Sequence, residues 1–484
     1  MNDLLEWIAQ RPKTLAWAAV GVLVASLLVL NTFWYVIKLA DDKDTYLGVA
    51  RYALREQEKT NKSAKQAREA IDDMCTLLTD DAALKSEALQ PLRRDLLLRS
   101  LRYYREYLKL HEDQRPDDSD AKDAIADVAH AHFRNALLTS EIASREQAVK
   151  ALTGARDFLQ EAADPAAKDT TLCSELVAIY NHLGMLQSDN GQVKESLQTY
   201  QQAQRLLQQL VEKHPQRHEY EAALAATYNN VGNLQTDDNQ PADALKSHQQ
   251  ALEMFQKLAH EKEKEKNDPG TYQSDIATTY NNLGNVQLRL QQTAEALKAH
   301  QQAQAIYQKL LERSPDNLTY QSDLASTLQY VGQSLDKAGK RDEAAATLQK
   351  AIERQKAVLD KEPSRGAARR QLSDHYFQLA KVQREAGRVK DAAATTQLRQ
   401  QLWPKDGAEL YQVASDWALL IPKAAEGERK QYADAAMEAL KQAAANGYKD
   451  AEALKKNADL ATLRERDDFK KLVAEMETKA KKEP

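Results

Sequence analysis

The sequence predicts an all-α protein in which an N-terminal transmembrane helix is followed by an α-solenoid of helical hairpins. Glycines recur at positions 184, 232, 284 and 332, and their spacings of 48, 52 and 48 residues are typical of a solenoid. Charged residues make up 29% of the chain and aromatic residues only 6%, which is typical of a long helical array and not of a sheet-containing enzyme. The stretch from Thr14 to Ile37 contains no charged residue, which indicates a membrane span.

The first 37 residues divide into a short tail, residues 1–13, and a predicted transmembrane helix, residues 14–37. A helix of this length reaches about 36 Å, enough to cross a hydrocarbon core of about 30 Å. Trp17 lies near one end and Trp34 near the other, where aromatic rings favour the membrane interface. A cleaved signal peptide is the alternative, but the apolar run is too long and no small-residue cleavage site follows it. We therefore expect a single-pass protein of the cytoplasmic (inner) membrane, whose orientation the flanking charges do not decide.

Residues 38–118 are predicted to form a juxtamembrane helical region without the repeat pattern. Apolar residues recur at intervals of three and four from Ala70 to Leu78, from Pro91 to Leu98 and from Leu101 to Leu108, so each of these helices has a face to bury. The polar segment from His111 to Ser119 contains a proline and is predicted to be a loop.

Residues 119–404 are predicted to form long-period repeats, of which the clearest copies are Thr227–Asn233 and Thr279–Asn285. A degenerate hairpin, Ala124–His132 with Arg145–Leu159, is expected to precede them. Each glycine is followed by a small residue twelve positions later and by an alanine seven positions after that. Small side chains are needed where two helices approach closely. Each unit is therefore a first helix carrying the glycine, a short polar turn, and a second helix carrying the two small residues. The small residues are Ser196, Ala244, Ala296 and Ala344, and then Ala203, Ala251, Ala303 and Ala351.

This spacing resembles the tetratricopeptide repeat, in which an aromatic residue precedes the glycine by four positions. Tyr228, Val231, Gly232, Ala244 and Ala251 occupy the signature positions of one copy, and the next copy repeats the pattern from Tyr280. The units of 48 to 52 residues are longer than the familiar unit of 34. The resemblance implies a solenoid whose first helices line a groove that binds a protein or peptide partner.

A closer resemblance covers almost everything after residue 14. The membrane segment, Asp72-Asp73-Met74, the segment Leu92–Leu97, the pair Tyr103-Tyr104 and the long repeats together are similar to the part after the membrane span in planctomycete-type bacterial serine/threonine kinases. This resemblance implies that the repeat domain lies outside the cytoplasm. Only thirteen residues precede the predicted span, so we expect no kinase domain here, and no glycine-rich phosphate loop or kinase catalytic loop is recognisable.

Residues 405–484 are predicted to form a capping helical hairpin and a tail. Glu409–Ala424 and Gln431–Asn446 would be its helices, and Gly447 would end the second helix in a left-handed conformation. A last helix, Asp467–Lys479, would cover the apolar end of the solenoid. The segment Ala439–Asp450 and the residues after it also resemble the terminal module of the repeat arrays in the same kinases.

The candidate binding residues are amide side chains beside the packed tyrosines and glycines of the first helices. An amide donates and accepts hydrogen bonds, so spaced amides can bind the backbone of an extended peptide irrespective of its sequence. The alternative is that some of these amides bond to neighbouring helices and hold the repeat register. Asp237 stands where the next repeat has Arg289, so a site for a C-terminal carboxylate is not expected. The predicted partner-binding residues are Asn181, Asn229, Asn230, Asn233, Asn281, Asn282, Asn285, Gln329 and Gln333.

Other chemistry has little support in the sequence. His214 and His218 have the spacing of metal ligands on one helix face, but a proline lies between them and we expect no metal site. Cys75 and Cys173 are expected to be buried thiols, with a disulfide as the alternative. The net charge is −5 and no basic stripe is present, so nucleic-acid binding is not expected. Because no catalytic triad, phosphate loop or paired-carboxylate motif is recognisable, we expect neither an enzyme nor a cofactor.

Together these features predict a membrane-anchored scaffold that binds a protein or peptide partner in the groove and tethers it at the membrane. Two alternatives remain open. The protein could be a structural subunit that self-assembles as a homo-oligomer into a cell-envelope complex, or a non-catalytic accessory subunit of a kinase signalling system.

Overall fold

The computed structural model of the protein describes residues 71–73, 75, 90–111, 122–264, 270–362 and 366–480. Every regular element in these ranges is a helix, which confirms the all-α prediction. The described residues belong to two compact units, one ending at Ala162 and one beginning at Ala163.

The first unit packs three long helices in chain order, the first on the second and the second on the third. Leu97, Leu101 and Tyr104 recur at intervals of three and four on the first of them, and all three are buried in the core of this unit. The spacing therefore creates the apolar face that holds the helix in place. The helices are α1 (Gln90–Leu110), α2 (Lys122–Ile142) and α3 (Arg145–Ala162).

The main part of the second unit consists of five helical hairpins, which we number repeats 1 to 5. In each repeat the landmark glycine position lies in the first helix and the small-residue landmarks lie in the second. The repeats are α4 (Thr171–Asp189) with α5 (Val193–Lys213), α6 (His218–Asp237) with α7 (Pro241–Lys264), α8 (Gln273–Arg289) with α9 (Thr293–Arg313), α10 (Leu318–Lys337) with α11 (Arg341–Lys361), and α12 (Gly366–Glu385) with α13 (Val389–Gln401).

The two helices of each repeat approach most closely at the landmark glycine. A Cβ atom added at Gly232 would lie 2.6 Å from the ring of His248, closer than atoms pack. In repeat 5 the glycine position is held by Ala380, and the position that corresponds to Leu348 in the repeat register is held by the smaller Thr396; both residues are buried. The sizes of the two facing residues therefore compensate for each other. The glycine pairs are Gly184 with Tyr200, Gly232 with His248, Gly284 with His300, and Gly332 with Leu348.

The small residues predicted at the helix contacts are all completely buried, which confirms their packing role. Their exposed fractions are 0% in every case, and Ser196 also donates a hydrogen bond to the Gly184 carbonyl at 2.7 Å. A larger side chain at any of these positions would force the helices apart.

A second hydrogen bond recurs between the helices of a repeat. A glutamine of the first helix accepts from a hydroxyl twelve residues later on the second helix. In repeat 3 the hydroxyl position is occupied by Ala299, and Gln287 Oε1 is left buried without a hydrogen-bond partner. The bonds that do form are Thr199 Oγ1 to Gln187 Oε1 (2.7 Å), Ser247 Oγ to Gln235 Oε1 (2.7 Å) and Thr395 Oγ1 to Gln383 Oε1 (2.8 Å).

The turn inside each repeat contains one residue with a positive φ angle. Only glycine adopts this region without steric cost, yet repeats 2 and 3 use other residues there. Because the residue type varies, this landmark is not visible as a sequence motif although its spacing matches that of the glycines. The residues and φ values are Gly191 (73°), Asn239 (58°), Gln291 (61°), Gly339 (78°) and Gly387 (76°).

The C-terminal part of the second unit, residues 407–480, is helical, and we call it the cap. Gly447 has a φ of 94° directly after α15, which confirms its predicted left-handed conformation. The last helix buries Phe469, Leu472 and Met476 in the core of the cap. The elements are α14 (Gly407–Leu420), a 3-10 turn (Ile421–Lys423), α15 (Glu426–Ala445), α16 (Ala451–Lys456), a second 3-10 segment (Ala458–Leu463) and α17 (Asp467–Ala480).

The prediction of a single-pass membrane protein is corrected by the structure. Within the described ranges, no helix is both long enough and apolar enough to cross a membrane. The described helices are amphipathic, with one apolar face and one polar face. The segment on which the prediction was based, Thr14 to Ile37, lies outside the described residues.

The turn of repeat 3 offers a test of backbone strain. We expect Gln291→Gly to raise the free energy of unfolding by roughly 0.5–1 kcal/mol, because the relief of left-handed strain exceeds the added chain entropy of glycine. The matched change Gly339→Gln in repeat 4 should lower it. Urea unfolding followed by circular dichroism measures both, and a less stable Gln291→Gly variant would contradict the assignment.

The unpaired glutamine of repeat 3 offers a second test. Ala299→Ser would place a hydroxyl where repeats 1, 2 and 5 have one, so we expect a gain of about 1 kcal/mol from satisfying Gln287. Ser247→Ala in repeat 2 should cost a similar amount by removing the same bond. The unfolding midpoints in urea check both changes, and shifts of both midpoints in the same direction would contradict this explanation.

Candidate functional site

The first helices of successive repeats form one continuous layer. From α6 to α12, each first helix contacts the next first helix as well as its own second helix. No comparable contact joins successive second helices in the described part of this unit. The first helices of repeats 2 to 5 therefore lie closer together than the second helices do. This layer carries eight of the nine amides that the sequence singles out, and Asn181 lies on α4 of repeat 1.

One set of these amides lies between repeats. Asn229 and Asn281 are buried and Gln329 is half-buried, and each bonds from one first helix to the next. These side chains hold successive first helices at a fixed distance and register. The bonds are Asn229 Nδ2 to Thr279 Oγ1 (2.7 Å), Asn281 Nδ2 to Thr327 Oγ1 (2.8 Å) and His375 Nδ1 to Gln329 Oε1.

The bonds around Asn229 have only one consistent direction. The Thr279 hydroxyl donates to the Asp275 carbonyl at 2.7 Å, so its oxygen must accept from Asn229 Nδ2. Asn229 Oδ1 then accepts from His248 Nδ1 at 2.9 Å. The chain of bonds ties α7, α6 and α8 together through buried groups, where a lost partner is costly.

Asn181, the equivalent residue in repeat 1, is placed differently. It is half-buried, and its Oδ1 is enclosed without a hydrogen-bond partner. Tyr200 stands where repeat 2 has His248, so the imidazole donor that satisfies Asn229 is missing. Its predicted role in partner binding remains a prediction.

The other amides lie on what we call the open face, formed by Asn230, Asn233, Asn282, Asn285, Tyr330 and Gln333. Asn233 is exposed and the other amides are half-buried. Asn285 bonds to the side chain of Tyr330. Among the described residues, no hydrogen-bond partner is found for the side chains of Asn230, Asn233, Asn282 and Gln333. These four amides therefore keep both donors and acceptors available to a ligand.

Two further residues of this surface were missed by sequence reasoning. Tyr330 holds the position of Asn230 and Asn282, and its ring stacks on His300 with centroids 5.5 Å apart. Met185 holds the position of Asn233 one repeat earlier and is 49% exposed. The sequence could have indicated Tyr330 by its spacing, since it precedes its glycine by two residues, whereas the tyrosines of repeats 2 and 3 precede theirs by four.

Charged groups near this surface are partly engaged within the protein. Arg289 Nη1 donates to the Thr236 carbonyl at 2.8 Å and so caps the end of the preceding first helix. Burial raises the pKa of the Asp275 carboxyl. It also raises the pKa of Asp374, although the positive charge of Arg399 opposes this. The absence of a site for a C-terminal carboxylate stays a prediction.

Three histidines of the repeat core are kept neutral. His248, His300 and His375 are almost fully buried, and burial lowers the pKa of each to about 4. His300 Nε2 donates to the Asn281 carbonyl at 3.3 Å, and its Nδ1 accepts from the Ser334 hydroxyl at 2.8 Å. Both ring nitrogens of His300 are thus satisfied in the uncharged form, whereas Nε2 of His248 and Nε2 of His375 have no hydrogen-bond partner among the described residues.

Neither Cys75 nor Cys173 is in a disulfide and both are buried, as expected from the sequence. Burial raises the pKa of Cys173 to about 11 and also raises that of Cys75. Both side chains therefore remain protonated thiols at neutral pH and are poor nucleophiles.

The neutral histidines predict a loss of stability in mild acid. Their pKa is near 6.5 in the unfolded chain and about 4 in the folded chain, so the unfolded state binds more protons between these values. The free energy of unfolding should therefore fall as pH is lowered through this window, by roughly 1.4 kcal/mol per histidine between about pH 7.5 and about pH 5.5.

The matched variant is His248→Tyr, which copies the Tyr200 packing of repeat 1. Its stability should depend less on pH than that of the wild type, although its absolute stability is lower because the bond to Asn229 is lost. Asp416, whose pKa burial raises to about 6 against the effect of Arg399, contributes with the opposite sign in both proteins and cancels in the comparison. Parallel pH profiles of urea midpoints would contradict the assignment.

Comparison with known proteins identifies the repeats. Models of the tetratricopeptide repeat match residues 177–206, 224–259 and 275–357. No curated protein matches the chain.

The crystal structure of BtubC from P. vanneervenii is 20% identical, with a TM-score of 0.40, over 57% of this chain and 92% of that one. The apo form of RapI is 14% identical, with a TM-score of 0.49, over 86% and 98% of the two chains. A Rap protein complexed with competence and sporulation factor is 15% identical, with a TM-score of 0.39, over 84% and 99%. The hairpins between residues 177 and 357 match the family models and are therefore tetratricopeptide repeats.

Proposed function

We propose that the protein is a scaffold whose open face binds an extended segment of a partner protein. The observation that carries this proposal is the row of amides without protein partners on successive first helices, at Asn230, Asn233, Asn282 and Gln333. Each amide can donate to a backbone carbonyl and accept from a backbone N–H. A ligand of this kind is recognised by its backbone, with side-chain contacts adding selectivity.

The spacing of the repeats suits such a ligand. Packed helices lie about 8–10 Å apart, and an extended chain advances about 3.3 Å per residue. One repeat therefore corresponds to roughly three ligand residues, and the open face of repeats 2 to 4 to roughly nine. Tyr330 supplies apolar surface on the same layer.

Preorganisation supports the same proposal. The bonds of Asn229 and Asn281 already fix the distance between first helices, so binding does not have to order them. An ordered site loses less entropy on association, which favours affinity. In each of these repeats one asparagine holds the scaffold and the next presents an open amide to the ligand.

Adjacent asparagines allow the proposal to be tested. A photo-crosslinking residue at position 282 should capture a discrete partner, whereas the same residue at the exposed Gln302 of α9 should not. The captured segment, made as a peptide, should bind the Asn282→Ala variant roughly three- to tenfold more weakly, as expected for one hydrogen bond.

Asn281→Ala is the matched control for this test. It should lower the unfolding midpoint because it removes the bond to Thr327 between buried groups, whereas Asn282→Ala should leave the midpoint unchanged. Equal capture at positions 282 and 302, or peptide binding that is insensitive to Asn282→Ala, would refute the open face as the binding site.

A further inference from the structure

Three potential metal ligands converge in repeat 2. His218 and Glu221 lie in the first turn of α6, and Glu261 lies in the last turn of α7. One ligand atom from each of the three residues lies within 4.8 Å of the other two. His218 Nδ1 and Glu261 Oε2 are only 3.5 Å apart. This cluster, which we call the repeat 2 triad, is separate from the open face.

The geometry of the triad is close to that of a zinc site. Tetrahedral zinc with bonds of about 2.0–2.2 Å places neighbouring ligand atoms roughly 3.3–3.5 Å apart. The distance between His218 and Glu261 already meets this requirement, and rotation of the Glu221 side chain would bring in the third ligand. The side chains of His218, Glu221 and Glu261 are 22%, 16% and 35% exposed, so the site is sheltered but still open to an entering ion.

Glu261 departs from the pattern of the other repeats. The equivalent last-turn residue of the second helix is Lys213 in repeat 1, Arg313 in repeat 3 and Lys361 in repeat 4. A cation there is favoured by the negative end of the helix dipole, and a carboxylate is disfavoured. Repeat 2 thus places a carboxylate at this position, beside Lys262 and close to the carboxylate of Glu221. A bound cation would stabilise the two neighbouring carboxylates together.

Lys257 provides the competing explanation. Its ammonium group lies 2.8 Å from Glu221 and neutralises part of the negative charge. The Lys257 side chain is 59% exposed, however, and exposed ion pairs contribute little to stability. A divalent ion that contacts both carboxylates and the imidazole at once would displace it.

The sequence analysis considered a different pair. His214 and His218 do not come together as ligands, because His214 Nε2 bonds to the Pro165 carbonyl at 3.0 Å. The neighbours of His218 in the triad come instead from the same first turn of α6, as Glu221, and from the last turn of α7, as Glu261.

We propose that His218, Glu221 and Glu261 bind a divalent transition-metal ion, with Zn²⁺ the best match to one imidazole and two carboxylates. The ion fastens the start of the first helix to the end of the second helix in repeat 2. Water fills the remaining coordination position. This site is independent of partner binding on the open face.

The experiment is a titration of the full chain, dialysed free of metal, with zinc chloride in a calorimeter. One zinc ion should bind per chain and raise the temperature of unfolding. His218→Ala and Glu261→Gln should each weaken binding at least tenfold, and Lys257→Met should tighten it severalfold by removing the competing cation. Cobalt(II) in place of zinc should give the visible absorption of a tetrahedral site.

His260→Ala is the matched control, since His260 is an exposed histidine beside Glu261 and lies outside the triad. Circular dichroism of the metal-free variants shows whether each is folded before it is titrated. The proposal is overturned if the folded wild type takes up no zinc. It is also overturned if folded His218→Ala and Glu261→Gln bind as the wild type does, or if His260→Ala rather than His218→Ala removes binding.

Discussion

Hydrogen bonds between buried side chains set the distance from one first helix to the next, and the rest of the repeat array depends on them. Asn229 and Asn281 bridge to hydroxyls one repeat further on, and those hydroxyls are in turn anchored on their own helices. Because each group is removed from water, an alternative register would leave donors and acceptors unpaired. Apolar contacts alone tolerate sliding between similar helices, whereas these bonds form only in one arrangement.

Within each repeat, a different constraint sets the distance between the two helices. The landmark glycine has no side chain, which leaves room for a large residue of the second helix, such as Tyr200, His248 or Leu348. In repeat 5, where Ala380 replaces the glycine, the position of Leu348 is held by the smaller Thr396. Interiors are packed closely enough that one methyl group must be balanced by another. In repeat 2 the bulky residue has a further role, because His248 also completes the bonding of Asn229.

These two constraints explain why neighbouring asparagines have different surroundings. Successive residues on a helix point about 100° apart, so Asn229 enters the contact with the next repeat while Asn230 faces outward. The scaffold uses the first residue for its own stability and leaves the second accessible. The repeat 2 triad lies away from these asparagines, where the first helix of the repeat begins and the second helix ends. Partner binding and metal binding would therefore act on separate surfaces of one hairpin.

The sequence by itself determined the helical class, the hairpin repeats, the buried small residues and the left-handed Gly447, because each depends on spacing along one or two helices. It also indicated the amides as a group. It could not separate the amides that bond between repeats from those of the open face, because Asn281 and Asn282 are chemically identical and differ only in which neighbour each one faces. The positive φ of Gln291, the outward position of Tyr330 and the meeting of His218 with Glu261 were likewise decided by tertiary structure. Each arises from packing between segments that are distant in the chain, and the identity of a residue does not reveal the partner that packing brings to it.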